Sequence, residues 1–377
     1  GVHYIGDVGA QTRTRKMFNY LSGGKIDWAP MDAEYDRFYI GEKVFNAKAG
    51  KKEFRLNLVR QFPDEEKAID RYLKLLDKAG KAIPAYGMKR IFSFWQYVFM
   101  WPYLLLKSPW CLFKNTYDVL SWLTDDQDLI AVLCGQWGNM GLPPKQSTFI
   151  VHAMIVRHYL HGGYYPIGGS WKISESIIPK IQATGGDVFT YARVEQVNVE
   201  NGKVVGVEMA DGHRIECECV ISSAGVGNTF KHLLSADVAS SAGYKQKLKS
   251  VEPSSAYLGV YIGLQSTAEE LGLPKTNFWI YPDNDYDGAV ERFSMGKDDQ
   301  FPVIYISFPS AKDPDYINRH PGTATIEIVA PAPYQWFEKW RDEIWGKRGE
   351  DYGKFKDQLG ERLMEHLYEK LPTLRGK

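Results

Sequence analysis

The sequence predicts a mixed α/β (α+β) protein of two domains, and three observations point there. A glycine-rich run, Gly162-Gly163-Tyr164-Tyr165-Pro166-Ile167-Gly168-Gly169, leads into a helical pattern and then into short strands separated by Asn201-Gly202 and Asp211-Gly212. Past residue 250, four mostly alternating segments read as a longer antiparallel sheet. Helical patterns open at Pro63 and recur at 116–123, 125–137 and 145–161, and 377 residues exceed what one small core holds.

Composition excludes several classes. Hydrophobic residues at 44% and charged residues at 24% are those of an ordinary globular chain. Lys+Arg and Asp+Glu balance at 46 each, so no global field draws nucleic acid or an anionic membrane, and any membrane contact must be local and apolar. The aromatic share of 14% suits large flat apolar ligands and an aromatic-rich core equally. Cys111, Cys134, Cys217 and Cys219 form no CxxC pair and have no histidine cluster at ligand spacing beside them. Reduced thiols and no structural metal are expected, with Cys217 and Cys219 buried on one side of a strand. The chain opens at Gly1 and stops at Lys377 straight after a helical pattern, so both ends read as cut.

Taken in order, residues 1–30 are glycine-rich and polar and read as loop, while 36–40 and 53–59 alternate as strands do. Pro63 opens a helix with acids in its first turn and a stripe of Ile69, Tyr72, Leu73 and Leu76. The run 91–106 is aromatic and apolar. As a helix its sixteen residues reach only about 24 Å against a bilayer core of ~30 Å, and Pro102 interrupts it, which argues against a span. Two readings stay open for it: docking at a membrane surface through Trp95, Phe99 and Trp101, with basic residues flanking, or a buried, cavity-lining helix. Helices are expected at 116–123, 125–137 and 145–161. After the glycine run, a helix carries Ile173, Ile177 and Ile181, with Pro179 expected to kink or end it. Strands follow at 187–191, 193–200, 203–210 and 213–221, the last a buried strand ending in Ser222-Ser223-Ala224-Gly225. Strands at 256–264, 277–281, 302–308 and 323–330 and helices at 334–345 and 350–370 complete the chain.

The signatures of several enzyme classes are missing: GxSxG, HExxH, a P-loop and a GxGxxG after an opening strand. His152, His158 and His161 lie on or just after one helical pattern and read as surface or satisfied core residues rather than metal ligands.

Tyr165-Pro166-Ile167-Gly168-Gly169, Gly185-Gly186, Ala192-Arg193-Val194-Glu195-Gln196-Val197, Gly202-Lys203-Val204-Val205-Gly206-Val207, Asp211-Gly212 and Val220-Ile221-Ser222-Ser223-Ala224-Gly225, in that order, resemble the phytoene desaturase and carotenoid isomerase family. Gly1-Val2-His3-Tyr4-Ile5-Gly6 is most similar to its retinol saturase branch. The resemblance implies an FAD/NAD(P)-binding Rossmann-like flavoprotein fold, incomplete here because an N-terminal Rossmann unit and a C-terminal glycine-rich segment are expected outside the chain. It implies FAD as cofactor, with NAD(P) a candidate electron partner, and hydride transfer at carbon–carbon double bonds of an apolar isoprenoid such as a retinoid or carotenoid. Residues 1–30 and 162–235 then belong to the FAD domain, 31–161 and 236–345 to a substrate- and membrane-facing domain, and 346–377 to a helix leading back.

On the same footing, Gly1, Val2, His3 and Tyr4 lie beside the flavin ring, Gly168 and Gly169 turn near it, and Val194, Ala224 and Gly225 meet its nucleotide end. His3 and Tyr4 are the candidate proton donors, against the alternative that they only order a loop. Tyr164 and Tyr165 are candidates to stack on substrate or flavin, against plain packing. Flavin chemistry asks little of side chains beyond positioning and water exclusion, so an apolar tunnel lined from 91–106 and the later sheet is expected. A peripheral, monotopic membrane association follows, with no compartment or oligomeric state implied. Two rival readings remain: a non-catalytic prenyl-lipid binding or escort protein of related fold, and an amine-oxidase-like flavoenzyme.

Overall fold

The computed structural model describes residues 2–88, 93–96, 98–99, 102, 110–241, 243–249, 256–296, 300–344 and 346–377. It is a mixture of helix and sheet in two compact units, residues 1–180 with 255–377, and residues 181–254.

The first unit is organised by a six-stranded sheet of order β4-β3-β10-β11-β12-β9. Its strands are β3 (Glu34–Ile40), β4 (Lys43–Lys48), β9 (Ala256–Leu264), β10 (Asn277–Tyr281), β11 (Ile304–Ser307) and β12 (Ala324–Ala332). The expected antiparallel sheet is thus mixed. β3 and β10 run parallel, because β3 comes from the first part of the chain and enters the sheet beside strands from its last part. Alternation sends each strand's residues to two faces. On one face, Ile306, Ile326, Ile328 and Phe278 receive Leu359, Leu363 and Leu367 of the helix Gly349–Lys370. Each of those leucines contributes about 1.5–3 kcal/mol by leaving water. On the other face, Phe38, Trp279, Tyr281 and Tyr305 pack on Ile69, Tyr72, Leu73 and Leu76, the expected stripe of the helix Glu66–Met88, and on the helix Phe149–Tyr159.

Residues 1–30 are not loop. β1 (Ile5–Gly6) and β2 (Trp28–Pro30) flank β5 (Gly163–Pro166) in a small antiparallel sheet, and Arg13–Ser22 is a helix capped by Thr12. Strands of two or three residues show no periodicity of their own; their pairing with β5 makes them. The glycine run therefore begins as a strand before it turns. Gly6 lies so close to the helix Phe149–Tyr159 that a Cβ there would fall 1.9 Å from the His158 carbonyl oxygen. Its amide donates to His158 Nε2 at 2.9 Å. His158 is thereby a structural acceptor, and burial lowers its pKa. His152 is buried and bonded to the Tyr72 hydroxyl at 2.9 Å.

Other expectations change as well. Residues 53–59 lie in a helix, Lys51–Gln61, because Phe54, Asn57 and Leu58 are the buried side chains and that spacing is helical. Pro179 ends nothing at once, since the helix Trp171–Gln182 runs three residues past it. Residues 334–345 begin with a tighter 3₁₀ stretch, Tyr334–Trp340.

The second unit carries a three-stranded meander, β6 (Val194–Glu200), β7 (Lys203–Met209) and β8 (Arg214–Glu216). Asn201 and Gly202 take φ of 49° and 75°, as a tight hairpin turn requires. At the second turn Gly212 is left-handed at 84° and Asp211 is not, so this connection differs from the first. Residues 187–191 form no strand. β8 stops at Glu216 because only three of its residues find partners on β7, and Ile221 is exposed instead of buried. Beyond that ladder Cys217 is half-buried and Cys219 exposed, not the buried pair expected; all four cysteines are free.

Candidate active site

One face of the large sheet carries two rows of side chains set by register. Trp279 lies opposite Phe38 on one side and Tyr305 on the other, and Tyr305 opposite Val329. In the neighbouring row Asp36 pairs with Asn277 and Ser307 with Glu327. The first row is apolar and aromatic, the second polar. His3 and Tyr4, which lead into β1, lie against both.

A cavity of about 270 Å³ opens at this place, lined among others by His3, Tyr4, Tyr159, Trp279, Tyr305 and Val329. Its rings are ordered. Tyr4 stacks on Tyr159 at 4.3 Å between centroids, runs nearly parallel to Tyr305, and Trp279 meets Tyr305 at 4.5 Å. His3 meets Tyr305 edge-on at 5.1 Å. Such walls favour a flat conjugated ligand and exclude water. The Trp279 Nε1 and the Tyr305 hydroxyl are buried, Trp279 facing Asp36 and Tyr305 facing Ser307 without close hydrogen-bond geometry.

His3 Nδ1 lies 2.9 Å from Glu327 Oε2. Burial alone would raise the Glu327 carboxyl; the His3 ring, facing it, holds it below its ordinary value. The two groups approach to ion-pair distance without the alignment of a hydrogen bond at Nδ1.

Beside the cavity runs a buried polar network. Asp36 is fully buried and accepts from the Tyr4 hydroxyl at 2.9 Å, Gln136 Nε2 at 2.6 Å and Asn277 Nδ2 at 2.8 Å. Burial raises its pKa, and those three donors oppose the rise. Lys312, equally buried, donates to Asn277 Oδ1, to Ser307 Oγ at 2.7 Å and to the His3 carbonyl at 3.0 Å. Burial pushes its pKa down to about 7. The Asn277 amide thus bridges a buried amine and a buried carboxylate. Tyr4 has its proton committed to Asp36, and burial drives its pKa well above the ordinary phenol range. That fixes Tyr4 as a wall of the cavity.

The structure sets His3 and Tyr4 side by side on the cavity, whose lining does not include Gly168. The Gly168 amide donates at 3.0 Å to Asp313, the neighbour of Lys312, and Gly168 and Gly169 take φ of 95° and 92°, which only glycine adopts without strain. Tyr164 packs in a separate apolar cluster with Ile5, Phe18 and Trp28, and Tyr165 is buried. Neither is among the residues that line the cavity. In the second unit, taken by itself, Val194 pairs with Met209 at the start of β6. Ala224 and Gly225 precede a short helical turn, Gly225 with φ of 89°. Gly1, Trp101 and most of 91–106 lie outside the described residues. Within that run Phe94, Trp95, Val98 and Phe99 are exposed, Trp95 at 69% and Phe99 at 83%.

Asp36, Asn277, Lys312, Glu327, Trp279 and Tyr305 escape a reading of the sequence. The available signal was Glu327, a lone charge within the apolar strand Ala324–Ala332. Among the described residues no group of His, Cys, Asp and Glu could hold a metal ion, and no helix is long and apolar enough to cross a membrane.

No protein-family model matches the chain. It is similar along its whole length, at 36% identity, to the all-trans-retinol 13,14-reductase of Homo sapiens, and spans 64% of that protein's length. It is 26% identical, over 85% of its length, to the chloroplastic prolycopene isomerase of Daucus carota, of which it covers 49%. Among solved structures, a protein from Pyrococcus furiosus is 15% identical and superposes with a TM-score of 0.59 over 99% of this chain and 72% of that one, a likeness of fold alone.

Proposed function

Taking as premise that the chain is a homologue of the all-trans-retinol 13,14-reductases, we propose that it forms the substrate-facing part of a flavin-dependent oxidoreductase acting on carbon–carbon double bonds of a retinoid- or carotenoid-type isoprenoid. One observation carries the reading: a flat-walled aromatic cavity lined by Tyr4, Tyr159, Trp279 and Tyr305, with the His3–Glu327 pair beside it. Those features fit a planar cofactor and a conjugated chain.

When bound, the flavin supplies or accepts the hydride. This chain's residues do the rest. Tyr159, Trp279, Tyr305 and Val329 present apolar faces to the conjugated chain and keep water out. Saturating a double bond adds a proton besides the hydride, and we assign that proton to His3, with Glu327 steadying the imidazolium. Gly168 and Gly169 together with Val2–Tyr4 are the flavin-side residues we assign in the first unit. In the second unit, separately, we assign Val194, Ala224 and Gly225 to the nucleotide end. NAD(P) remains the candidate electron source.

Purified full-length protein is expected to show the yellow absorbance of bound flavin. A colourless, flavin-free product would favour a prenyl-lipid binding protein of related fold.

We also propose that residues 94–99 dock on a membrane surface from which an apolar substrate is drawn. Phe94, Trp95, Val98 and Phe99 are exposed at i, i+1, i+4 and i+5, one side of a helix. Replacing Trp95 and Phe99 of the full-length protein with serine is expected to lower co-sedimentation with liposomes at least about tenfold, given ~1.5–3 kcal/mol per buried aromatic side chain. Unchanged co-sedimentation would remove the docking surface.

A further inference from the structure

Lys312 is the most expensive side chain near the cavity. It is 1% exposed, and its three partners are an amide oxygen, a hydroxyl and a main-chain carbonyl, none of them a carboxylate. The charged groups facing it, Asp36 from β3 and Glu327 from β12, act on it only at a distance. A methionine would fill the same volume without the desolvation cost of an amine. The amine therefore has to be explained by what it holds.

One of its acceptors lies 309 positions away in sequence, at the carbonyl of His3. The next residue of the same segment, Tyr4, is tied through its hydroxyl to Asp36, and Asn277 joins Asp36 to Lys312. The two residues that meet the cavity at this point are thus fastened by one network, at main chain and side chain. Asp313, directly after Lys312, accepts the amide of Gly168. Two adjacent residues at the end of the short helix Pro309–Lys312 consequently grip both segments that carry the site, the His3–Tyr4 stretch and the glycine turn.

We infer that Lys312 is a positioning residue, holding the His3 main chain so that its ring faces Glu327 and the cavity. The catalytic consequence rests on the flavoenzyme reading above; the clamp itself does not. Two readouts on full-length Lys312→Met separate them. Hydrogen–deuterium exchange should rise about tenfold in the peptide covering residues 2–8, with the helix Gly349–Lys370 unchanged as an internal control. Turnover of a conjugated retinoid should fall about a hundredfold in kcat, with KM within a fewfold of the parent, as expected when a reacting group is misplaced by around 1 Å. Should Lys312→Met not fold, Ser307→Ala, which removes one acceptor and keeps the amine, is expected to give the same local rise in exchange at smaller size. Unaltered exchange at residues 2–8 in a folded Lys312→Met protein would overturn the clamp. Raised exchange there in a protein whose parent turns over no retinoid would uphold the clamp and remove the substrate reading instead.

Discussion

Replacing Asn277 with leucine is expected to cost about 3–5 kcal/mol of stability, as much as truncating a buried aromatic side chain on the same strand. The side chain is fully buried and bridges the Asp36 carboxylate and the Lys312 amine. Leucine has a similar volume but neither a donor nor an acceptor. Asp36 keeps Tyr4 and Gln136 yet loses a donor, while Lys312 loses its contact toward the compensating charge. Two ionisable groups would then be buried with weakened partners, and neither can reach water without opening the sheet. Urea unfolding followed by tryptophan fluorescence checks this, with the slope unchanged and the midpoint lowered. Asn139→Ala serves as contrast. Its amide sits 3.5 Å from the Tyr4 hydroxyl, at the limit of a hydrogen bond, so less than about 1 kcal/mol should be lost. Equal losses in the two variants would mean that the network carries no special weight.

Replacing His3 with phenylalanine is expected to lower kcat by ~10²–10⁴-fold, the usual contribution of a positioned general acid. Phenylalanine keeps a ring edge for Tyr305, so the wall survives while the proton-carrying nitrogen beside Glu327 is lost. Flavin content and KM should change little. Rate measurements on the full-length protein with a conjugated retinoid decide the matter, and a fall of less than about threefold would assign the proton elsewhere. Tyr4 is the poorer candidate. Its hydroxyl already donates to Asp36, and burial holds its proton far more tightly than in an ordinary phenol.

The parts of this fold that local chemistry dictates could be read in the sequence. Asn201-Gly202 announces its hairpin because two left-handed residues in a row are needed there. Ile69, Tyr72, Leu73 and Leu76 announce their helix because their spacing makes one buried stripe. Strands β9 and β12 alternate because each has two different faces to cover, while β10 and β11 are apolar runs buried on both faces. What escaped was set at long range. Residues 53–59 contain both periods, and only packing chooses the helix. β1 and β2 exist because β5 lies between them.

The site divides the same way. His3, Tyr4 and Gly168 were reached through family resemblance; His3 and Tyr4 line the cavity, and Gly168 meets Asp313 instead. Asp36, Asn277, Lys312 and Glu327 come from three strands and a short helix spread from residue 36 to residue 327. Nothing local marks Lys312 or Asn277, since their meaning comes from a hydrogen bond between a short helix and a strand distant in sequence. Tyr164, which its place in the glycine run made a stacking candidate, points to the small sheet's own apolar cluster with Trp28.

The central claim is that a hydride and a proton meet a conjugated double bond in the cavity beside His3. The most direct measurement starts from full-length protein whose flavin has been reduced without oxygen. All-trans retinoid is added and the absorbance followed. The yellow colour should return as one double bond per flavin is lost from the polyene, and two deuteriums should appear in the product when the reaction runs in heavy water, one through the reduced flavin's exchangeable N–H and one from the acid. A reduced flavin that stays colourless in the presence of both retinoid and carotenoid, or a polyene recovered without solvent deuterium, would contradict the account.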